Sequence, residues 1–173
     1  MPPAPPPVVS LLGPSGSGKT TLAAALVGRW ARQGRRVGYV KHASHGFDVD
    51  RPGKDSARVA EAGAVGVALT GPGGFAYLER GEPRDAREIV AAHFADRDVV
   101  VIEGFRGAGY PAVVLPGAQP AARALAEATG AVLAVVGDGA DAESAAAARA
   151  VPRFSRDDVD ALGAHLERVL GLA

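Results

Sequence analysis

Apolar residues in this chain fall into short unbroken runs separated by stretches with helical spacing or no spacing at all. Val8-Val9-Ser10-Leu11-Leu12 and Asp98-Val99-Val100-Val101-Ile102-Glu103 are the clearest runs. They do not alternate with polar residues, which is the pattern of strands buried on both faces of a parallel sheet. Further strands are predicted over Arg36–Lys41, Val65–Leu69, Phe75–Glu79, Val113–Leu115 and Val132–Val136. Between them, helical stretches run from Thr21 to about Gln33, where Gly34 supplies a stop, and over 56–62, 84–94, 121–129 and 142–150. Ser155-x-x-Asp158 resembles a capping box, with Asp in place of Glu or Gln, and opens a last helix that runs through Leu170. Gly71-Pro72-Gly73-Gly74 is a turn signal, so the strands either side of it should pair as a hairpin. The alternation predicts an α/β fold of three layers. Its central sheet is mostly parallel, with an antiparallel hairpin excursion near residues 65–80. A single domain is expected over 8–173, preceded by a Pro-rich tail, 1–7, that frays as polyproline II.

The junction of the first strand and first helix carries the chemistry. Gly13-Pro14-Ser15-Gly16-Ser17-Gly18-Lys19-Thr20 fits G-x-x-x-x-G-K-[ST], the phosphate-binding P-loop, in the strand–loop–helix setting the motif requires. Its glycines let the backbone curl with N–H groups facing inward, and the positive end of the following helix completes an anion nest. Gly13, Ser15, Gly16, Ser17, Gly18, Lys19, Thr20 and Thr21 are the predicted nucleotide contacts. Lys19 would reach the β- and γ-phosphates and the Thr20 hydroxyl would ligate Mg²⁺. Sixteen of the 19 basic residues are Arg, so a Lys at this position stands out.

Composition narrows the partners. Nineteen basic residues balance nineteen acidic ones with no long single-sign run, which argues against a nucleic-acid partner. No apolar run approaches the ~20 residues of a membrane span. The absence of cysteine excludes disulfides and thiol chemistry and is consistent with a reducing cytoplasm. Residues 2–7 have neither a charged nor an apolar leader region, so no signal peptide is expected and a cytoplasmic location is.

Three other places could complete the site. The strand ending in Glu103-Gly104 looks like a Walker-B element. Its acid would emerge beside the P-loop to hold the Mg²⁺ shell or polarise water, and Gly104 would let the backbone approach a γ-phosphate. The polar segment His42–Lys54 follows the second strand. There Lys41 and His42 could neutralise phosphate, and Asp50 is the best acid for a metal or water role. His42-x-x-His45 with Asp48 and Asp50 invites a transition-metal reading, but the spacing lies in a loop rather than on one helix face, and contacts to nucleotide, Mg²⁺ or a second anion fit better. The chain contains no Asn, so the guanine motif N-K-x-D is absent. Asp138, just past the strand 132–136, is the best-placed acid for base recognition, its bland alternative being a Gly-Asp-Gly turn. Lys19, Glu103 and Asp50 are thus the catalytic candidates, and Thr20, Glu103 and Asp50 the metal candidates.

Taken in order, Gly13–Thr20, Lys41–Ser56, Glu61-Ala62-Gly63-Ala64 and Val101–Arg106 resemble the molybdopterin-guanine dinucleotide biosynthesis adaptor family, MobB. The resemblance covers roughly residues 8–115. It implies a GTP-binding, weakly GTP-hydrolysing P-loop protein in molybdenum cofactor maturation, assisting the guanylyltransferase MobA that joins GMP to molybdopterin. It also implies a homodimer, with the segment 41–54 facing nucleotide or the anionic pterin. Arg106 and Arg51 are candidates for an arginine finger. Two alternatives stay open at the level of the residues: an ATP-dependent small-molecule kinase or ligase of the dethiobiotin-synthetase type, and a non-hydrolysing nucleotide-binding scaffold.

Overall fold

The computed structural model describes residues 4–44, 46–47 and 53–172. They form two compact units: one is the chain up to His42 together with the chain from Asp85 onward, the other Ala43–Arg84.

The first unit is built on six strands, β1 (Val8–Leu12), β2 (Val37–Lys41), β5 (Val99–Glu103), β6 (Ala112–Val114), β7 (Val132–Val136) and β8 (Arg153–Phe154). They pair in the order β2-β5-β1-β6-β7-β8, and every pair is parallel. β1 and β5 are buried along their whole length, as their unbroken apolar runs require. Their alternate side chains supply two cores. Val9, Leu11, Val99 and Val101 face α1 (Lys19–Arg32) and α6 (Val159–Val169), in a cluster that holds Trp30, Leu26, Leu162 and Leu166. Val8, Val100 and Ile102 face the other way, onto Ala86 and Val90 of α3 (Ala86–His93). Leu12, Ala112 and Val114 meet the alanines of α4 (Ala121–Ala126) and α5 (Ala140–Arg149). Small residues let these layers close tightly: a Cβ on Gly38 of β2 would collide with the ring of Phe94.

The strands and helices lie where the pattern places them, with four differences. β8 has no apolar run of its own; it is two residues long and forms by pairing Val135↔Arg153 and Val136↔Phe154 at the sheet edge. The predicted capping box at Ser155–Asp158 does not form. The last helix starts at Val159 with Asp158 as its N-cap, and Ser155 Oγ accepts instead from the Asp157 amide at 3.3 Å, a local turn. A capping box does open α3, where Asp85 accepts from the Arg87 amide at 2.7 Å and Glu88 from the Asp85 amide at 3.3 Å. Finally, packed chain begins before β1: Pro6 is buried and the Pro7 carbonyl accepts from the Val100 amide at 2.9 Å.

The second unit holds α2 (Asp55–Glu61) and an antiparallel hairpin of β3 (Gly66–Gly71) and β4 (Gly74–Glu79), joined through Gly71↔Gly74. This is the predicted hairpin, and it forms a sheet of its own.

Candidate functional site

The site is assembled at the carboxyl end of β1, where open parallel sheets place their ligands. The loop of residues 13–18 turns through three left-handed glycines, Gly13 (φ 147), Gly16 (φ 74) and Gly18 (φ 95). At Gly13 no other residue fits, because a Cβ would collide with the Leu115 carbonyl. Gly18 is the N-cap of α1, and among the described residues no side chain caps that helix end. The first amides of α1 therefore have no intrahelical acceptor and keep their partial positive charge. An unfilled set of donors at the start of a 14-residue helix fits a phosphate group.

Lys19 folds back across the loop and donates to the carbonyls of Gly13 (2.9 Å) and Pro14 (2.6 Å). Burial lowers its pKa, and the attraction of Glu103 and Glu127 only partly offsets that. Ser17 turns inward, so that its buried hydroxyl has no partner among the described residues.

Beside the loop, three residues converge on one carboxylate. Glu103 closes β5 and is 6% exposed. The Thr20 hydroxyl donates to it, lying 2.9 Å from Oε1 and 2.8 Å from Oε2. Tyr39 donates to Oε2 at 2.7 Å, and the Lys41 ammonium stands 3.2 Å from Oε1 and 3.3 Å from the Thr20 hydroxyl. Register explains the gathering. Tyr39↔Val101 and Lys41↔Glu103 are paired, so Tyr39, Lys41 and Glu103 all project from the face that α1 covers. Burial pushes the Glu103 carboxyl up, but the donors Tyr39, Thr20 and Lys41 outweigh it and hold the group below the usual range. Burial, and then the bond to Glu103, push the Tyr39 hydroxyl up.

A buried carboxylate beside a hydroxyl suits a hard divalent ion held by oxygen, which would displace the Lys41 ammonium from them. Thr20 and Glu103, two of the three predicted metal candidates, are thus brought together; the third, Asp50, lies outside the described residues, as do His45, Asp48 and Arg51. Among the described residues no group of three His, Asp or Glu side chains could hold a metal ion.

The other predicted residues take up the rim. The His42 amide donates to the Glu103 carbonyl at 2.9 Å and its ring packs on Phe105, with centroids 5.1 Å apart. Gly104 (φ 87) lies against His42, and its amide faces the Leu11 carbonyl at 3.4 Å. Ser15 is exposed at the lip of the loop, and Thr21 is exposed in the first turn of α1. Asp138 is exposed in the loop between β7 and α5. Arg106 is engaged by Glu127, with Nε 3.2 Å from Oε2. Tyr39 and Glu127 were not singled out in the sequence. Tyr39 had a readable signal, since it shares the strand parity of Lys41; Glu127 had none, because its position depends on where α4 ends.

The family described as MobB, molybdopterin guanine dinucleotide synthesis protein B, matches residues 8–138. The molybdopterin-guanine dinucleotide biosynthesis adapter protein of Haemophilus influenzae is 36% identical over 112 residues, 63% of this chain and 62% of that one. Its namesake in Escherichia coli is 33% identical over 115 residues, 63% and 65% respectively. The match thus spans less than two thirds of the length of these curated relatives. Among solved structures, a crystal structure of molybdopterin-guanine biosynthesis protein B superposes with a TM-score of 0.73 at 27% identity, covering 95% of this chain and 99% of that one. Bacillus subtilis MobB gives 0.70 at 28%, covering 92% and 97%.

Proposed function

The chain belongs to the MobB family, and we propose that it is a GTP-binding, weakly GTP-hydrolysing adaptor in molybdenum cofactor biosynthesis. In this reading it assists the attachment of GMP to molybdopterin, with the guanylyltransferase MobA as partner and the molybdopterin cofactor as a possible ligand. The curated relatives are named as adapter proteins of this pathway. The observation that carries the nucleotide reading is the uncapped start of α1 placed beside the Thr20–Glu103 pair. One feature of the helix end calls for an anion and the pair calls for a cation, which is what a nucleotide phosphate with its metal supplies.

The residues divide the work. Amides from Gly16 to Thr20 bind and orient the phosphates. Lys19 leaves the Gly13 and Pro14 carbonyls and places its charge on the β- and γ-oxygens. Thr20 and Glu103 would hold Mg²⁺, which when bound would neutralise charge spreading over the transferred phosphoryl group. Lys41 adds a second cation at the same end. Glu103 is a poor base, since three donors hold its carboxyl ionised. Positioning and electrostatics without a strong base give slow turnover, which suits a switch or adaptor.

A second copy of the chain belongs among the partners. In the hairpin, Phe75 and Tyr77 lie two residues apart on one face of β4 and are 72% and 52% exposed. We assign this face to a homodimer contact. No helix among the described residues is long and apolar enough to cross a membrane, and the proposed site of action is the cytoplasm.

Calorimetric titration with GTP and ATP, with and without Mg²⁺, tests the proposal. Mg²⁺-dependent binding that favours GTP supports it. Tighter binding of ATP moves the chain to the small-molecule kinase class.

A further inference from the structure

The sheet order gives the glycine loop two flanks. β5 and β2 lie on one side of β1, and β6, β7 and β8 on the other. Thr20's partners Glu103 and Lys41, and Tyr39, which donates to Glu103, all belong to the first flank. The second flank ends in two loops, residues 137–139 after β7 and 155–158 after β8. They leave neighbouring strands at the same end, through Val136↔Phe154, and the Gly137 amide donates to the Phe154 carbonyl at 3.0 Å.

The second of these loops leads into α6, which packs on α1. Arg29 of α1 pairs with Asp160 at 2.6 Å and Glu167 at 2.9 Å, and Gly163 of α6 leaves room for the Arg29 side chain to pass. Arg156 lies in this loop and reaches the phosphate loop itself: a Cβ placed on Gly18 would stand 3.6 Å from its Nη1. Arg156 is exposed, and among the described residues its guanidinium has no acid within ion-pair distance, unlike Arg29, Arg106 and Arg153. A cation at the amino end of a helix is on the wrong end of the dipole. Such a placement becomes favourable when an anion arrives at the helix end.

The orientation of the anion follows from the flanks. Mg²⁺ bridges β- and γ-oxygens, and its candidate ligands, Thr20 and Glu103, lie on the first flank. A nucleotide whose Mg²⁺ was held by Thr20 and Glu103 would direct its terminal phosphate toward the first flank and its nucleoside toward the second, the flank of Arg156 and Asp138.

We propose that Arg156 is a second phosphate-binding cation, contacting the α-phosphate of a bound nucleoside di- or triphosphate while Lys19 serves the β- and γ-phosphates. The proposal rests on the nucleotide-binding reading above and adds a binding residue to it.

Displacement of a fluorescent guanine nucleotide, with Mg²⁺ present, by unlabelled GTP and GDP tests this in the parent chain and in Arg156→Gln, Arg156→Lys and Lys19→Ala. Arg156→Gln is expected to raise Kd for GTP and GDP by the same factor, about tenfold, the effect of losing one hydrogen bond to a charged group. Arg156→Lys, which keeps the charge, stays within about threefold of the parent. Thermal melting of both variants matches the parent chain, since among the described residues the Arg156 side chain makes no hydrogen bond or ion pair. Unchanged Kd values in Arg156→Gln, beside lost binding in Lys19→Ala, overturn this inference and leave nucleotide binding standing. A loss confined to GTP overturns it by placing Arg156 on the γ-phosphate. An Arg156→Lys variant as weak as Arg156→Gln overturns it in favour of planar stacking. If the parent chain displaces no label with either nucleotide, the nucleotide-binding reading itself fails.

Discussion

The Thr20 hydroxyl lies within 2.9 Å of both carboxylate oxygens of Glu103, across 83 residues of sequence. Thr20 stands in the first turn of α1 and Glu103 closes β5. They meet because β5 is the parallel neighbour of β1, paired through Leu11↔Glu103, and α1 leaves directly from the loop that β1 ends in. The pair joins the two halves of the site, the amide nest and the buried carboxylate.

Replacing Glu103 with Gln keeps the shape and an acceptor for Tyr39 and Thr20 but removes the charge. GTP hydrolysis is expected to fall by about a hundredfold, the scale seen when one preorganised electrostatic group is lost, and half-maximal activity should need more Mg²⁺. Single-turnover phosphate release across a Mg²⁺ series measures both. Unchanged release would remove Glu103 from the proposed role.

Gly13→Ala is expected to destabilise the protein by at least about 1–3 kcal/mol, the cost of forcing a side chain into a disfavoured backbone region. The added collision with the Leu115 carbonyl pushes in the same direction. Urea unfolding followed by the fluorescence of Trp30, the single tryptophan, reports it directly. A parent-like midpoint contradicts the geometry described for the loop.

Acid should weaken the α1–α6 contact. Glu167 accepts from Arg29, Gln33 and the Trp30 indole, and the bond from Arg29 does most to hold its carboxyl below the ordinary range, against some desolvation. A carboxyl with a depressed pKa in the folded state contributes stability above the unfolded value, about 4.3, and that contribution is lost as pH falls through the folded value. The melting temperature is therefore expected to drop as pH is lowered below that point. Glu167→Gln should be less stable at neutral pH and lose less on acidification. Parallel melting curves against pH for parent and variant contradict the assignment.

If the exposed face of β4 is a contact between copies, Phe75→Glu combined with Tyr77→Glu should yield monomers. Both side chains are exposed within their unit, so each copy should keep its fold. Sedimentation at several concentrations decides it: a parent that is already monomeric, or a variant that stays dimeric, removes this face from the interface.

Much of this molecule could be read before folding was considered. β1, α1 and β5 announce themselves because a strand buried on both faces has no room for polar residues, and the loop Gly13–Thr20 because its backbone needs glycines at fixed places. Thr20 and Glu103 could be paired from the order of those elements. Tyr39 escaped notice because its role comes from strand register, not from a motif. β8 escaped because two residues at a sheet edge carry no periodicity. Ser155–Asp158 misled because the capping signature is local, while the start of α6 is set by packing on α1. Arg156 was silent because its nearness to Gly18 comes from the path of the loop after β8, not from a motif.

The central claim is that main-chain amides at the start of α1, with Lys19, grip the phosphates of a nucleotide. Calorimetric titration of GTP into the parent chain and into Lys19→Ala, with Mg²⁺ present, tests it most directly. Saturable binding by the parent with loss of heat in the variant is the predicted result. Absence of binding by the parent, or equal affinity in Lys19→Ala, would contradict it.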